Sequence, residues 1–325
     1  MTKLHSRFAK LGNGAADREL MLRVAWRHLV DGRTQESVAR EFGLTRAKVN
    51  RLIAECREAG LVRIGINSNA RIALDEEFEL RDRFGLVDAW VVPATASGAT
   101  ATHTVGVAAG GYVSETLGPD QTLAVGWGHT LNASVLGLQP RKAQGNRVVN
   151  LLGGLVRGSQ LNSFEITSRY ARTLNAECCY LIAPRMADSD EAAQHLRERP
   201  YIKEALDIAA SAQMLLVGVG ELSAASTLCK TGLLSVSDLG ILSSAGAVCI
   251  LQGTALDLEG RQISHPLAGR TVGLAPDRFG QVPKRILAAS GRRKARSIRA
   301  LLKGGHCNVL ITDETTAAAV LALSA

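Results

Sequence analysis

The chain has 325 residues, of which 46% are hydrophobic and 21% charged, a balance that is typical of a folded globular protein and excludes a mainly disordered one. This length exceeds what one hydrophobic core usually supports, so a small and a large domain are expected. The net charge is +8, but residues 1–65 hold 13 basic and 7 acidic side chains. An anionic polymer, either nucleic acid or an acidic membrane surface, is therefore the expected partner of the first part alone.

The cysteines and the apolar stretches exclude further classes. None of the six cysteines forms a Cys-x-x-Cys pair and their spacing is irregular, so neither a disulfide framework nor a metal site is expected. The first twenty residues lack the apolar segment of a secretory signal. An uncharged stretch at residues 239–256 is interrupted by serine, glycine and glutamine, unlike a membrane-spanning helix. A cytoplasmic protein without membrane contact is therefore expected.

Residues 18–60 predict three short helices. Apolar residues at three- and four-residue spacing place the first over Arg18–Val30. Its buried face is expected to contain Leu22, Ala25, Trp26 and Leu29. Thr34 is the predicted N-cap of a second helix that ends at Gly43. Thr45 is the predicted N-cap of a third helix, which ends at Gly60.

Small and apolar residues recur where the second and third helices would cross. Ala39 permits a close approach and Gly43 forms the corner, while Val49 and Leu52 would seat the third helix on the second. A helix-turn-helix requires this arrangement, and its outer face can reach base edges and phosphates in a major groove. The predicted contacts with double-stranded operator DNA are Thr34, Gln35, Thr45, Arg46, Lys48, Asn50 and Arg51.

Two alternatives to DNA binding stay open at this point. An ordinary helical hairpin would carry the same basic face only for solvation. A membrane-surface helix would need a strongly apolar opposite face, which a helix-turn-helix uses for its own core. Residues 61–66 alternate in a way that predicts a short strand, as in a winged helix-turn-helix.

The rest of the chain alternates strands and helices. A helix predicted over residues 72–84 ends at Gly85, which divides the chain into a DNA-binding domain at 1–66, a connecting helix at 67–85 and a larger domain at 86–325. Short apolar runs predict strands at 89–92, 122–125, 148–152, 179–182, 214–217, 286–288 and 308–311. Such runs between amphipathic helices favour an α/β fold with a mostly parallel sheet covered on both faces.

Three predicted strands end in glycine-rich turns, at the sheet edge where α/β proteins bind ligands. The first turn runs from Gly126 through Trp127, Gly128 and His129 to Thr130. Because it opens a helix, its backbone donors and the threonine hydroxyl suit a phosphate or sugar hydroxyls. The second contains Gly153 and Gly154, and the third is residues 218–220. None of these turns matches a nucleotide-binding pattern, so no cofactor is expected. A single turn of this kind is more often a plain connection between strand and helix, but several at one edge favour a ligand pocket.

Several motifs occur in the order found in a known family. They are the helix-turn-helix segment TQESVAREFGLTRAKVNRLIAECREAGLVRI, then VGWGHT, NLLGGL, AASTLCKTGLLS, SSAGAV and LITDETTA. From about Glu19 onward the chain resembles the SorC/DeoR family of sugar-responsive bacterial transcriptional regulators. The resemblance implies a large domain similar in fold to sugar-phosphate isomerases and CoA transferases. Such a domain binds a sugar, polyol or sugar phosphate, forms dimers or tetramers, and alters operator binding.

The resemblance also implies contacts with this effector. The ligand loop of the family matches residues 126–130, and its next glycine pair matches residues 153–154. The other implied contacts are Asn162, Asp257, Lys294 and Asp313, the last followed by Glu314. The chain departs from the family at Cys249-Ile250, where many members carry glycine followed by an acidic residue. A carboxylate that grips sugar hydroxyls is missing here, which indicates a different ligand or a ligand held elsewhere.

Some of these residues have two interpretations. Lys294 begins a basic helix after Gly291, which suits a phosphate but also fits a solvated surface helix. Trp127 would stack on a sugar or lie in the core, and His129 is more often a solvated or structural histidine than a catalyst.

The alternative function is an isomerase-like or transferase-like enzyme, which needs a carboxylate at the sheet edge. Asp313 is explained as a helix cap, so an effector-responsive regulator without enzyme activity is expected.

Overall fold

The computed structural model describes residues 13–59, 61–62, 73–95, 98–155 and 162–323. The chain divides into two compact units, residues 1–66 and 67–325, and each is described by itself. Of the helices in the described ranges, none is long and apolar enough to cross a lipid bilayer.

The described residues of the first unit form three helices, α1 (Asn13–Leu29), α2 (Gln35–Phe42) and α3 (Arg46–Glu58). The hydroxyl of Thr34 accepts a hydrogen bond from the backbone N–H of Ser37, and that of Thr45 accepts one from Lys48, both at 3.2 Å. Gly43 ends α2 with a φ of +64°, a conformation that glycine adopts without a steric penalty. The predicted caps and corner are therefore found in the structure.

A small apolar core lies where these helices cross. Its buried members are Val24, Val38, Ala39, Val49, Leu52 and Ile53. The buried face predicted for the first helix was partly wrong, because Leu22 is 40% and Trp26 61% exposed while Val24 is buried beside Ala25. A spacing of three and four residues fits two neighbouring faces of one helix, and the core selects between them. The strand expected over residues 61–66 lies largely outside the described residues.

The second unit has an α/β core and a small additional sheet. Its strands are β1 (Asp88–Val92), β2 (Thr122–Val125), β3 (Arg147–Asn150), β4 (Glu177–Cys179), β5 (Met214–Val217), β6 (Gly220–Glu221), β7 (Cys249–Leu251), β8 (Thr254–Leu256), β9 (Gln262–Ile263), β10 (Lys284–Ala288) and β11 (Val309–Asp313). Its helices are α4 (Leu74–Phe84), α5 (Gly98–Thr116), α6 (His129–Ser134), α7 (Ser163–Leu174), α8 (Asp190–Arg197), α9 (Pro200–Ala210), α10 (Thr227–Lys230), α11 (Val236–Ser244), α12 (Pro266–Arg270), α13 (Ala295–Lys303) and α14 (Glu314–Leu321).

Seven strands form one parallel sheet in the order β1-β11-β10-β5-β2-β3-β4. Successive side chains of a strand point to opposite faces of the sheet, so Leu215 packs into the core on one face and Leu216 into the core on the other. Both faces of the sheet are therefore covered, as in other parallel sheets. The predicted parallel α/β fold is confirmed. The strand expected at residues 179–182 ends instead at Cys179, because residues 180–182 continue as a loop.

Four short strands form a second, antiparallel sheet in the order β6-β7-β8-β9. Sequence patterns did not predict it, since its strands have only two or three residues. With α10, α11 and α12 it encloses its own apolar cluster, which contains Leu228, Leu234, Leu242, Ala247, Ile250, Ala255 and Leu267. The other face of the small sheet packs into one of the two clusters that flank the parallel sheet, through Cys249, Leu251 and Leu256.

The helix predicted as a connector, α4, is fixed to the second unit. Its buried Glu77 accepts a hydrogen bond from the backbone N–H of Val91 at 2.9 Å. Arg83 donates from the same helix to the carbonyl oxygens of Leu321, the last residue of α14, and of Leu323 beyond it. These contacts tie α4 to an edge of the parallel sheet.

Candidate functional site

A cavity of about 580 Å³ opens at the carboxyl ends of β2, β5 and β10, which are neighbours in the parallel sheet. The turns that follow these strands, at residues 127–128, 218–220 and 290–291, form its floor. The rest of the lining comes largely from α10 and from the turn between β7 and β8. The cavity therefore lies where open α/β sheets bind ligands, and the small sheet contributes to its lining.

The predicted loop after β2 lines this cavity. Trp127, Gly128, His129 and Thr130 all face it; Thr130 is buried, Trp127 half-buried and His129 exposed. Gly126 lies just behind them, and a Cβ atom there would lie 3.0 Å from Nε2 of Gln252. The turn after β5, Gly218 to Gly220, joins the loop at the same edge, so the sequence correctly grouped these two turns.

Lys294 lines the end of the cavity nearest β10, together with Ser290 and Gly291. Burial lowers the pKa of Lys294, and the negative charge of Glu221 opposes this shift. The Glu221 carboxylate also lies 3.9 Å from Nε of Arg293. Among the described lining residues Glu221 is the only acidic one, so this end has two cations and one anion.

Gly153 and Gly154 follow β3 but do not line the cavity. The N–H of Gly154 donates to the carbonyl oxygen of Ala183, and its own carbonyl accepts from the N–H of Arg185, both at 2.9 Å. A Cβ at Gly153 would lie 2.5 Å from the Ala183 carbonyl oxygen, and one at Gly154 would lie 2.3 Å from the Phe164 ring. These glycines therefore hold the segment that carries Arg185.

Three other predicted contacts are occupied by local structure and also lie outside the cavity lining. Asn162 caps α7 by accepting from Phe164 N, and Asp257 accepts from the N–H groups of Glu259 and Arg261 in a turn. Asp313 caps α14 and accepts from the hydroxyl of Thr316, which in turn accepts from the N–H of Gly291. Asp313 therefore reaches the cavity only through the Gly291 turn. Within the described ranges, no three potential metal-ligating side chains are grouped to hold an ion.

Arg185 is a lining residue that sequence reasoning missed. It is 94% buried, its guanidinium carbon lies 3.4 Å from the centre of the Trp127 ring, and burial lowers its pKa to about 9. Among the described residues no carboxylate lies within 4.0 Å of it. Nothing in the local sequence marks this arginine, because its position depends on the pairing of its backbone with Gly154.

Gln252 is a second missed residue, at the turn between β7 and β8. Its φ of +49° and that of Gly253, +85°, are the positive pair of a two-residue hairpin turn. The side chain is buried, and its Oε1 has no hydrogen-bond partner among the described atoms. A residue-Gly pair between the apolar runs CIL and TAL is a hairpin signal that could have located it.

The outer face of α3 carries most of the side chains predicted to contact DNA. Arg46, Asn50 and Arg51 are exposed and Lys48 is half-buried. Nε of Arg51 lies 3.3 Å from the carboxylate of Glu55 one turn later. The Thr34 and Thr45 hydroxyls are engaged in capping, and Gln35, the first residue of α2, is half-buried.

Comparison with known proteins gives matches over nearly the whole chain. The family described as "Putative sugar-binding domain" matches residues 69–322. The Erythritol catabolism regulatory protein EryD of Brucella abortus is 30% identical over 309 residues, which cover 94% of this chain and 97% of EryD. The Transcriptional regulator LsrR of Klebsiella pneumoniae is 33% identical over 319 residues, covering 96% of each chain.

A solved structure gives the same fold. The full-length Sorbitol Operon Regulator SorC from Klebsiella pneumoniae superposes with a TM-score of 0.71 at 24% identity, covering 94% of this chain and 99% of SorC. The sugar-binding match spans most of the second unit, which holds the cavity, and the two regulators align over both units. The chain therefore belongs to the SorC/DeoR family of sugar-binding transcriptional regulators.

Proposed function

We propose that this regulator binds operator DNA through α3, and that a sugar, polyol or sugar phosphate in the cavity modulates this binding. The observation that carries the proposal is the cavity itself. It lies at the carboxyl edge of the parallel sheet within the region matched by the sugar-binding family. Both curated relatives are named as regulators, which favours regulation over the alternative of an isomerase-like or transferase-like enzyme.

The cavity offers groups of the kinds that a phosphorylated polyol needs. Thr130 and Ser290 bring hydroxyls and Lys294 brings a positive charge, which suits a phosphate. The turn at Gly291 supplies little further donor capacity, since its N–H is bonded to Thr316. We therefore assign the phosphate of such an effector to the Lys294 end.

The DNA-binding half of the proposal rests on the exposed face of α3. A helix of 13 residues reads only a half-site, so specific binding requires two copies related by two-fold symmetry. Arg46, Asn50 and Arg51 are placed to contact bases or phosphates, and the chain acts as at least a dimer. The effector must favour one arrangement of the DNA-binding units, because equal affinity for both arrangements would regulate nothing.

The test uses the full-length protein, an operator fragment selected from random duplexes, and glucitol 6-phosphate as the probe. Glucitol 6-phosphate is expected to raise the melting temperature and to change operator affinity. Lys294→Gln should weaken both responses about tenfold in probe concentration. The exposed neighbour Arg292, outside the lining, provides the matched control Arg292→Gln, which should respond like wild type. Equal responses in all three proteins would overturn the proposed position of the phosphate.

A further inference from the structure

We infer that the cavity binds an effector with an anionic group at each end, the second anion being held by Arg185. This inference rests on the proposed function, since it takes the cavity as the effector site. The cavity has two polar ends. One, at β10, contains Lys294; the other, at β2, contains Arg185, Trp127 and Gln252.

Arg185 is a buried cation that no described side chain neutralises. It is 94% buried, no salt bridge or side-chain hydrogen bond of its guanidinium occurs among the described residues, and its contact is the Trp127 ring. An aromatic face attracts a cation but carries no net charge. A buried arginine is usually paired, because an uncompensated charge in the interior is destabilising. The position of Arg185 on the wall of a cavity indicates that the missing anion comes from the ligand.

Gln252 adds an independent polar group at the same end. Its amide lies against Gly126, at the end of β2, and its buried Oε1 has no partner among the described atoms. A buried amide oxygen without a donor is destabilising. A ligand hydroxyl next to the anion would supply that donor. A sugar acid carries such a hydroxyl on the carbon beside its carboxylate. Arg185 and Gln252 together therefore suit an anion followed by a hydroxyl.

The two ends are separated by two strand spacings. β10 and β2 lie on either side of β5, and neighbouring strands are about 4.8 Å apart, so the ends lie about 10 Å apart. A six-carbon chain with an acidic group on each terminal carbon has about this reach. The described lining residues include four basic side chains, those of Arg185, Lys230, Arg293 and Lys294, against the one carboxylate of Glu221. This excess of positive charge also favours two anionic groups over one.

The test compares four six-carbon probes by titration calorimetry on the full-length protein. Glucitol 6-phosphate and gluconate each carry one anionic end, 6-phosphogluconate carries both, and glucitol 1,6-bisphosphate replaces the carboxylate by a phosphate. We expect one of the two doubly anionic probes to bind at least about tenfold tighter than glucitol 6-phosphate. Which of them binds tighter identifies the second anion as carboxylate or phosphate, and either result supports the inference.

Variants then locate the second anion. Arg185→Gln should remove the affinity advantage of the doubly anionic probe over glucitol 6-phosphate, whereas Arg185→Lys, which keeps the charge, should retain part of that advantage. Arg292→Gln serves as the exposed control. If glucitol 6-phosphate binds through Lys294 and the second anion adds nothing, the inference is overturned while the proposed function stands. If no probe binds, or if Arg185→Gln and Lys294→Gln both leave every probe unaffected, the proposed effector site is overturned as well.

Discussion

The guanidinium carbon of Arg185 lies over the Trp127 ring, 3.4 Å from the ring centre. This contact occupies one face of the tryptophan, so a sugar cannot stack on that face. It also fixes the arginine against the cavity wall, since a cation–π contact in a desolvated site stabilises by about 2 kcal/mol. Trp127 is therefore better described as the support of Arg185 than as a stacking surface for a sugar.

Replacing Arg185 by methionine should stabilise the ligand-free protein. A buried charge without a counter-ion carries a desolvation penalty, and replacing buried ionic groups by apolar side chains of similar volume stabilises by up to about 4 kcal/mol. Burial lowers the folded-state pKa of Arg185 to about 9, so stability rises as pH increases above this value, and the penalty is fully present at pH 7. Thermal unfolding of Arg185→Met at pH 7 should show a melting temperature higher by at least about 2 °C. A lower melting temperature would show that the cation is already neutralised.

Replacing Gln252 by glycine should change protein stability and ligand affinity in opposite directions. A glutamine with a φ of +49° occupies a conformation that is disfavoured for residues other than glycine and asparagine. Gln252→Gly should therefore raise the free energy of unfolding by about 1 kcal/mol, while weakening the binding of 6-phosphogluconate several-fold. Denaturant titration and calorimetry measure the two effects. If binding is unchanged, the amide does not contact the ligand.

The glycines after β3 should tolerate no side chain. A Cβ at Gly153 would meet backbone oxygen atoms of Ala183 and Pro184 at 2.5 Å, and backbone cannot move aside as a flexible side chain can. Gly153→Ala should lower the free energy of unfolding by about 1–3 kcal/mol and displace the segment of Arg185, which reduces the binding of doubly anionic probes. Gly111, which has open space in α5, provides the control, since Gly111→Ala should stabilise by about 0.5–1 kcal/mol. Equal effects of the two substitutions would contradict the close packing of Gly153 against the backbone of Ala183 and Pro184.

Substitutions in the helix-turn-helix unit should distinguish residues that stabilise its fold from residues that contact DNA. Thr45→Ala removes the cap of α3 and should lower the stability of this unit by about 1 kcal/mol. Arg46→Ala should leave stability unchanged but weaken operator binding and reduce the slope of its salt dependence by about one. Circular dichroism and fluorescence anisotropy at several salt concentrations measure these effects. An unaltered affinity and salt slope in Arg46→Ala would exclude Arg46 as a phosphate contact.

Local signals in the sequence were sufficient to predict the helix-turn-helix and the loops after β2 and β5. Capping threonines and a corner glycine act within a few residues, so Thr34, Gly43 and Thr45 were placed correctly. Parallel strands end at one edge, which explains why two predicted turns meet in the cavity. The expected buried face of the first helix was wrong at Trp26, because only packing against other helices selects between neighbouring faces.

The β2 end of the cavity could not be predicted, because long-range pairing builds it. Arg185 reaches the cavity through backbone hydrogen bonds with Gly154, some thirty residues earlier in the chain. Gln252 arrives through a hairpin of two three-residue strands. Asn162, Asp257 and Asp313 have residue types that suit a ligand, yet local backbone donors engage their side chains. Spacing alone does not distinguish a capping carboxylate from one that faces a ligand.

The separate apolar cluster of the small antiparallel sheet has a consequence for dynamics. One face of β7 and β8 packs into the main core through Cys249, Leu251 and Leu256, whereas α10 and α11 contribute Leu228 and Leu242 to the separate cluster. These two helices can therefore open without unfolding the rest of the domain, with an opening free energy smaller than the global one. Because α10 lines the cavity, a bound ligand would stabilise the closed position of this helix. Amide hydrogen exchange in α10 and α11 should therefore slow in the presence of 6-phosphogluconate, while exchange in β11, within the main sheet, stays unchanged.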